Sequence, residues 1–445
     1  MPYPGLRPFE AEDAPLFFGR EPQVSAMLRQ LEDARFVAVV GSSGCGKSSL
    51  VRGGLLAALL EGFLFGTTDW LTLVIKPGQQ PYQNLARVLA RAGRASSDIP
   101  GVPDGDESAR LAEMRTLAAL RKTDRGLLAA LAESGISPDT NVMLVVDQFE
   151  ELFAFRRAGA GRDEVASRDE AAAFVSMLLR SCSNPTGRLW VVLTMRSDFI
   201  GDCETFLGLP EVVSRSQFLV PRLDRGQMDE AIARPGAVQE AAYRPFTFGE
   251  GLVNRIINDA GDRPDQLPLM QHALMRTWKL AVQRSREDGT SIQLTQEDYN
   301  AAGGIENALS LDADLAWDDV KSDPKKARIA RQLFLLLCDI SPDGQITRRR
   351  PTVSEIQAAT GATLEEISQV IRPFQENERN FLLPPLQQGL VSDTTLDLSH
   401  EALLRRWQLF ATDWQEQERR DSSELRRLAD MVRLHSEGEG GLLRG

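Results

Sequence analysis

Five short apolar runs are spaced along the first half of the chain. Each run is almost continuously apolar, and stretches with helical periodicity separate one run from the next. Near-continuous apolar runs are typical of parallel strands that are buried on both faces of a sheet. We therefore predict five strands, at residues 36–40, 70–76, 141–147, 188–195 and 216–220.

The segments between these strands have the apolar spacing of amphipathic helices. A helix at residues 21–32, with Pro22 in its first turn, precedes the first strand. The alternation of strands and helices indicates an α/β fold in which a five-stranded parallel sheet lies between two helical layers. The helices predicted around the sheet are 47–60, 81–92, 108–134, 168–182 and 197–206.

The second half of the chain has a different pattern. Strand signals disappear after about residue 222, and residues 225–302 are mostly helical. Two capping boxes, Thr352 with Glu355 and Thr363 with Glu366, then open short helices. Two short strands follow, in FLLPP and TTLDLSH. The order helix, helix, helix, hairpin is typical of a winged-helix domain.

These patterns divide the chain into five segments. The first is an arm with four prolines, whose aromatic residues Tyr3, Phe9, Phe17 and Phe18 we expect the following domain to cover. The predicted boundaries are 1–34 for the arm and first helix, 35–221 for the α/β domain, 222–318 for the helical region, 319–410 for the winged helix and 411–445 for a C-terminal helix.

Composition and charge exclude several classes of function. The chain has 445 residues, of which 63 are acidic and 51 basic, and its formal net charge of −12 does not suit binding along nucleic acid. Its four cysteines are far apart, so we expect a reducing, cytoplasmic location without disulfides or a zinc site. Neither a signal peptide nor a run long enough for a transmembrane helix is evident, so we expect no membrane association.

A phosphate-binding loop, GSSGCGKSS at residues 41–49, follows the first predicted strand and opens a helix. Its glycines let backbone N–H groups cradle phosphate oxygens, and the helix adds its positive N-terminal end. We expect Lys47 to reach the β- and γ-phosphates and Ser48 to ligate Mg²⁺. Cys45 is interpreted as a small loop residue without a redox role. The residues expected to contact the nucleotide are Gly41, Ser43, Gly44, Cys45, Gly46, Lys47, Ser48 and Ser49.

Acidic residues follow the third predicted strand, in the sequence VVDQFEELF. Asp147 ends this strand, where a carboxylate can meet the Mg²⁺ that Ser48 holds. Glu151 is our first choice for the residue that orients or deprotonates the attacking water, with Glu150 as the alternative. We therefore predict a metal site and a catalytic base at this edge of the sheet.

Two further segments are candidates for nucleotide contacts. Arg196 lies just past the fourth predicted strand, where the strand ends of an open α/β sheet line the ligand crevice. It can neutralise the terminal phosphate, and the alternative is a surface pair with Asp198. Gly19 and Arg20 lie just upstream of the first strand, where their backbone can lie along the adenine. The alternative for these two residues is a simple turn into a helix.

Together the motifs resemble the bacterial novel STAND class of P-loop NTPases, which is related to NACHT and NB-ARC proteins and to AAA+ ATPases. The resemblance implies a P-loop nucleotide-binding domain, a helical lid over residues 222–318 and a winged helix that together hold the nucleotide. Gln148 stands where AAA+ motors have the second residue of an Asp-Glu pair, which favours slow hydrolysis. The motifs form one ordered series over residues 3–440: PYPGLRPFEAEDAPLFFGRE, GSSGCGKSSLVRGGLLAAL, VVDQFEELF, VVLTMRSDF, RPDQLPLMQHAL, YNAAGGIENAL and LSHEALLRRW.

The resemblance also implies two contacts from the second half of the chain. His400, in SHEAL, matches the winged-helix histidine that contacts the β-phosphate of ADP in STAND proteins. From the residues alone, a single histidine is more often a capped or packed residue than a ligand. Pro264, in GDRP, is the nearest match to the lid proline of the family, although its spacing is one residue longer than the family motif. Pro268 and Pro235 are the alternatives.

The function implied by the resemblance is that of a slow ATPase that acts as a conformational switch. It rests with ADP bound and, after exchange for ATP, forms a homo-oligomer that relays a signal in bacterial signal transduction or anti-phage defence. Sensor modules, such as repeats or a propeller, and effector modules are expected in the full-length chain. One alternative is a working AAA+-like ATPase that acts with its winged helix on DNA or a protein partner. A second alternative is a scaffold in which the nucleotide is purely structural.

Overall fold

Two compact units form the protein. The computed structural model of the chain describes residues 1–96, 106–153, 162–184, 187–238, 244–261, 266–340, 346–376, 378–385, 389–418 and 420. The N-terminal unit comprises Pro8–Val238, and the C-terminal unit comprises Met1–Arg7 together with Gln239–Gly445. The chain therefore passes between the units twice, at residues 7–8 and 238–239.

The N-terminal unit is built on a five-stranded parallel sheet. Its strands β1 to β5 have the order β2-β3-β4-β1-β5. The central strands β3, β4 and β1 are buried over almost their whole length. The predicted five-stranded parallel sheet is confirmed. The runs of the central strands belong to strands that are covered on both faces, whereas the edge strand β5 is exposed or half-buried. The strands are β1 (Phe36–Gly41), β2 (Trp70–Ile75), β3 (Asn141–Val146), β4 (Leu189–Arg196) and β5 (Gln217–Leu219).

Helices cover both faces of this sheet. Phe36, Ala38 and Val40 of β1 pack into one apolar core, and Val37 and Val39 pack into the other. A π-helical turn at Leu50–Leu55 continues the helix that follows the phosphate loop. The helices are α1 (Glu21–Asp33), α2 (Lys47–Ser49), α3 (Leu56–Leu60), α4 (Pro81–Ser96), α5 (Asp106–Lys122), α6 (Gly126–Glu133), α7 (Arg162–Ser181), α8 (Leu209–Ser216) and α9 (Arg225–Ala233).

Two of the helix predictions are wrong. The single helix predicted over 108–134 is two helices, α5 and α6, with a break at residues 123–125. At Gly126, which opens α6, a Cβ atom would lie 2.0 Å from the carbonyl oxygen of Leu120, so this close approach requires glycine. The helix predicted over 197–206 is two short 3₁₀ segments, Ser197–Phe199 and Gly201–Thr205.

The N-terminal arm is divided between the two units. A 3₁₀ helix at Ala11–Leu16 lies in the N-terminal unit, where the rings of Phe9 and Phe17 are 5.2 Å apart. Tyr3 lies in the C-terminal unit, fully buried and in edge contact with Phe246. The following domain therefore covers Phe9 and Phe17, but our expectation that it also covers Tyr3 is wrong.

The described part of the C-terminal unit is mostly helical, with three two-stranded sheets. No helix in the described parts of the chain is both long enough and apolar enough to cross a bilayer. The helices are α10 (Leu252–Ala260), α11 (Gln266–Asp288), α12 (Gln296–Ala301), α13 (Gly304–Lys321), α14 (Pro324–Leu336), α15 (Val353–Thr360), α16 (Leu364–Gln375) and α17 (Ala402–Arg406). The paired strands are β6 (Thr247–Phe248) with β7 (Gln293–Leu294), β8 (Cys338–Ile340) with β9 (Ile346–Arg348), and β10 (Leu382–Leu383) with β11 (Asp397–Leu398).

The order of elements predicted for a winged helix is present in this unit. Helices α14, α15 and α16 are followed by the antiparallel pair β10–β11. Both predicted capping boxes are formed, since Thr352 and Thr363 accept the N–H groups of Glu355 and Glu366 and each glutamate reaches back. The β8–β9 pair between α14 and α15 was not predicted. The mostly helical unit is thus consistent with a lid and a winged helix, whose boundaries stay predictions.

A buried group of charged residues connects α11, α13 and the segment after α16. The carboxylate of Asp312 on α13 lies 2.9 Å from the guanidinium of Arg276 on α11 and 3.1 Å from that of Arg379. The Nε2 atom of His272, also on α11, lies 3.4 Å from the same carboxylate. Burial lowers the pKa of His272 to about 4, so at pH 7 the imidazole is neutral. These four residues, which we name the Asp312 cluster, therefore hold two cations and one anion.

Candidate active site

The phosphate loop leaves β1 at Gly41 and enters α2 at Lys47, at the carboxyl edge of the sheet. Gly44 and Gly46 have φ angles of 70° and 89°, a left-handed conformation that residues with side chains rarely adopt. At Gly41 a Cβ atom would lie 2.7 Å from the Sγ atom of Cys45. The loop therefore makes the tight turn that a phosphate cradle of backbone N–H groups requires.

Lys47 turns its ammonium group back over this loop. The Nζ atom donates to the carbonyl oxygen of Gly41 at 3.0 Å and to that of Ser42 at 2.8 Å. These bonds keep the positive charge at the loop, where the terminal phosphates of a nucleotide are expected to bind. The contact between Lys47 and phosphate stays a prediction.

Ser48 and Asp147 meet at the end of β3. The Ser48 hydroxyl donates to Asp147 Oδ1 at 2.7 Å, and only 1% of Asp147 is exposed. Mg²⁺ commonly takes one or two protein carboxylates and completes its shell with water and phosphate oxygens. The hydroxyl and carboxylate oxygens therefore fit a magnesium ion that arrives with a nucleotide. Over the described residues, no group of three or more His, Cys, Asp or Glu would form an all-protein metal site.

Thr194 on β4 completes this arrangement and is absent from our predictions. Its hydroxyl donates to Asp147 Oδ1 at 2.6 Å and accepts the N–H of Gln148 at 2.9 Å. Gln148 has a φ of 59°, so the chain turns sharply after Asp147. Thr194 thus fixes both the carboxylate and the turn. The signal for it in the sequence is one hydroxyl within the otherwise apolar run LWVVLTM.

The two glutamates after this turn have different surroundings. Glu151 Oε2 accepts the N–H of Gly78 at 2.9 Å, so this carboxylate holds the loop that follows β2. Glu150 Oε2 is buried and has no hydrogen-bond partner among the residues that the structure describes. Burial raises the pKa of Glu150, and the positive charge of Lys47 offsets part of this effect. The geometry therefore favours Glu150, our alternative, over Glu151 as the carboxylate that meets a water molecule.

The match to a protein family covers almost the whole chain. The family described as Novel STAND NTPase 1 matches residues 2–439. The protein belongs to this STAND NTPase family. The match includes the phosphate loop, the Asp147 turn and His400, and it confirms the resemblance seen in the motifs. The chain is therefore a P-loop NTPase, a class whose members bind nucleotides, usually with Mg²⁺.

Several solved structures resemble this STAND NTPase at low sequence identity. A Walker-type ATPase of Pyrococcus abyssi is 14% identical over 90% of this chain and 98% of its own, with a TM-score of 0.41. The Aeropyrum pernix ORC1 protein in complex with DNA is 14% identical over 88% and 92%, with a TM-score of 0.39. The Aeropyrum pernix ORC2 protein, in ADPNP-ADP complexes, is 11% identical over 90% and 94%, with a TM-score of 0.40. A comparison with curated proteins gives no match.

Arg196 of the STAND NTPase ends β4 next to the start of the phosphate loop, because it pairs with Gly41 in the sheet register. Its guanidinium lies 2.5 Å from Asp198 Oδ2 and 5.7 Å from the centre of the Phe199 ring. The hydrogen bond from Arg196 lowers the pKa of Asp198. The surface pair that we considered as the alternative is therefore formed, and the contact with a terminal phosphate stays a prediction.

Arg20 supports the phosphate loop from the arm, and Gly19 lies close to Gln227. The buried Arg20 guanidinium donates to the carbonyl oxygen of Cys45 at 2.9 Å and to that of Pro221 at 2.7 Å. Gly19 has a φ of 82°, and a Cβ atom there would lie 2.3 Å from the carbonyl oxygen of Gln227. The side-chain role of Arg20 was not predicted. Contact between the backbone of these residues and adenine remains a prediction.

Three other residues of the loop, Ser43, Cys45 and Ser49, were also expected to contact the nucleotide. The Ser49 hydroxyl accepts the N–H of Phe9 at 3.2 Å, so its side chain binds the arm. Cys45 is a free thiol in a half-buried position, and Ser43 is also half-buried. Phosphate contacts from Ser43, Cys45 and Ser49 stay predictions.

The candidates from the second half of the sequence remain predictions. His400 Nδ1 accepts the N–H of Ala402 at 3.0 Å and so caps the start of α17, which is the role we considered as the alternative. Pro264 lies outside the described residues. Pro268 lies in the first turn of α11, and Pro235 is buried in a 3₁₀ turn after α9.

Proposed function

We propose that this STAND NTPase is a nucleotide-dependent switch that holds ADP at rest, exchanges it for ATP and hydrolyses ATP slowly. The observation that carries the proposal is the hydrogen-bonded set of Ser48, Asp147 and Thr194 beside a complete phosphate loop. This set prepares a metal site at the position where the β- and γ-phosphates would bind. The free carboxylate oxygen of Glu150 supports a hydrolytic rather than a purely structural role.

Each residue of the site has a separate role in the proposed hydrolysis. Lys47 binds the β- and γ-phosphates, and Ser48 and Asp147 hold the Mg²⁺ that neutralises charge on these phosphates. Water attacks the γ-phosphorus and the bond to the β–γ bridging oxygen breaks, while Glu150 accepts the proton that the water loses. Arg196, released from Asp198, neutralises the terminal phosphate. The products are ADP and phosphate.

The switch depends on different affinities of ADP and ATP for two states of the protein. A ligand that converts a two-state equilibrium almost completely needs about 5.5 kcal/mol of differential binding free energy. We propose that His400 provides part of this difference through a contact with the β-phosphate of ADP. With ATP bound, the winged helix is released and the protein forms a homo-oligomer. Membership of the STAND family supports this scheme.

The biological role that we propose is signal transduction or anti-phage defence in bacteria. Sensor and effector modules in the full-length chain would provide the input and the output. A DNA-loading motor is less well supported, because the basic cluster at residues 348–350 is paired within the unit. Arg348 and Arg350 bind the carboxylate of Asp397, and Arg349 lies 3.7 Å from Glu355.

The nucleotide content of the purified protein tests this proposal. We expect ADP to copurify with the chain and ATP turnover to be slow, on the order of one per second or less, at the low end of enzyme rates. Mass spectrometry identifies the nucleotide, and light scattering after gel filtration measures the assembly with ADP and with a non-hydrolysable ATP analogue. Larger assemblies with the analogue alone support the switch. Rapid turnover without a change in assembly would instead indicate a motor, and no turnover at all would indicate a scaffold.

Two substitutions of His400 separate a ligand role from a capping role. Asparagine can accept the Ala402 N–H as a cap but has no imidazole, whereas alanine provides neither. If His400 binds the β-phosphate, both His400→Asn and His400→Ala should release ADP about tenfold faster, as the loss of one hydrogen bond to a charged group predicts. Stopped-flow release of a fluorescent ADP measures this rate. If His400→Asn releases ADP at the wild-type rate, His400 has only the capping role.

A further inference from the structure

Arg52 lies between the proposed metal site and the N-terminal arm. It follows Ser48 by about one helical turn, in the π-helical turn that continues α2. Its Nη1 atom lies 3.7 Å from Asp147 Oδ2, and its Nη2 atom lies 2.7 Å from Glu10 Oε1. We propose that Arg52 is a positioning residue that couples occupation of the metal site to the arm through Glu10. This inference rests on the proposed function, because it requires a divalent cation at Ser48 and Asp147.

The arm is packed directly against the helix that holds Ser48 and Arg52. A Cβ atom at Gly53 would lie 2.7 Å from the Cβ atom of Phe9, and one at Gly54 would lie 3.0 Å from the ring of Phe17. The N–H of Phe9 also donates to the Ser49 hydroxyl. Two consecutive glycines therefore bring the arm into contact with this helix. A movement of the Arg52 side chain would therefore act on the arm, which already contacts this helix.

Glu10 lies close in the sequence to one of the connections between the two units. Glu10 precedes the 3₁₀ helix Ala11–Leu16, and its N–H donates to Asp13 Oδ2 at 2.9 Å, so its backbone is fixed. It lies two residues after Pro8, where the chain enters the N-terminal unit. One of the two connections between the units is therefore next to the carboxylate that binds Arg52.

Electrostatics gives the direction of the coupling. The guanidinium of Arg52 has carboxylates at both ends, and its buried Nε atom has no hydrogen-bond partner in the described part of the chain. A divalent cation held by Asp147 would repel this guanidinium, because both positive charges would lie beside one carboxylate. Arg52 would then move towards Glu10. Without a cation, Arg52 remains shared between Asp147 and Glu10.

The affinity of the ADP complex for Mg²⁺ is the first measurement. The experiment titrates Mg²⁺ into the full chain at saturating ADP and follows the heat of binding. Arg52→Gln should bind Mg²⁺ about three- to thirtyfold more tightly, because a competing positive charge is removed. Glu10→Gln should bind it about three- to tenfold more weakly, because Arg52 then pairs with Asp147 alone. In the double variant, Glu10→Gln should add no more than about a twofold change.

Hydrogen exchange of the arm is the second measurement. In the wild-type protein, exchange of the peptide that covers residues 8–18 should differ between ADP alone and ADP with Mg²⁺. This difference should disappear in Arg52→Gln and in Glu10→Gln. A merely structural role of Arg52 would change exchange equally with and without Mg²⁺. Glu10 is 36% exposed, so we expect the Glu10→Gln protein to fold. This variant therefore tests the coupling even if the Arg52→Gln protein does not fold.

A matched ion pair in the same unit provides the control. Arg234 pairs with Glu21 at 3.1 Å on the surface, and we expect Glu21→Gln to leave both measurements unchanged. Wild-type protein that binds no nucleotide would overturn the proposed function and with it this inference. Wild-type protein that binds Mg²⁺-ADP, with Glu10→Gln and Arg52→Gln matching it in both measurements, would overturn the coupling alone.

Discussion

Replacement of Glu150 by glutamine is expected to lower kcat for ATP hydrolysis by about a hundredfold or more, because a positioned general base contributes on the order of 10²–10⁴ to the rate. The buried Oε2 atom of Glu150 has no protein partner among the described residues and is therefore free to accept the proton of the attacking water. ATP affinity should change by less than about threefold, since Lys47 and the loop N–H groups bind the phosphates. Steady-state phosphate release and equilibrium binding of ATP measure the two effects.

The pH dependence of the reaction gives a second readout for Glu150. Burial raises the pKa of this carboxyl, and a general base must be deprotonated to act. In the wild-type enzyme, kcat should therefore rise as the pH rises through this raised pKa. Glu150→Gln has no group to titrate at this position, so the acidic limb of its profile should be flat.

Glu151→Gln is the matched control for Glu150→Gln. Glu151 holds the N–H of Gly78, and a glutamine oxygen can accept the same hydrogen bond. We expect kcat to fall by less than about tenfold, which is small beside the loss of a catalytic base. If Glu151→Gln instead abolishes hydrolysis and Glu150→Gln retains it, our first assignment from the sequence is right and the geometric argument is wrong.

The sheet and the phosphate loop were predictable because each has a local signature. Strands covered on both faces are expected to be almost continuously apolar, and the runs of the central strands β1, β3 and β4 meet this condition. The loop is defined by glycines that adopt left-handed angles at Gly44 and Gly46. The capping boxes of α15 and α16 have the same local character. A few neighbouring residues are enough to specify each of these features.

The contacts that were missed join residues that are far apart in the sequence. Thr194 is 47 positions from Asp147, and its hydroxyl has a function only because β3 and β4 are neighbours in the sheet. The pair of Arg52 with Glu10 likewise depends on how the arm packs. The choice between Glu150 and Glu151 depends on the Gly78 loop, which follows another strand. Strand order and loop packing have no local signature, so single-sequence reasoning could not supply them.

The Asp312 cluster could not be predicted from the sequence either, because its residues are spread from position 272 to position 379. At pH 7 the carboxylate of Asp312 is the one negative charge among the four members and serves both Arg276 and Arg379. Removal of one partner from a buried ion pair leaves an uncompensated charge, which costs far more than an exposed pair contributes. The cluster connects α11 and α13 of the proposed lid to the segment after α16 of the proposed winged helix. The cluster is therefore one of the contacts that hold these elements together.

Asp312→Asn should lower the free energy of unfolding of the C-terminal unit by about 3–5 kcal/mol, because it leaves Arg276 buried without a carboxylate partner and Arg379 with only the exposed Asp319. Urea denaturation followed by tryptophan fluorescence measures this change, since four of the six tryptophans lie in this unit. Asp319→Asn is the control: Asp319 is on the same helix, 3.9 Å from Arg379, but its side chain is 61% exposed. Its loss should cost less than about 1 kcal/mol. If both substitutions lower the free energy of unfolding equally, the charge balance of the buried cluster does not depend on Asp312.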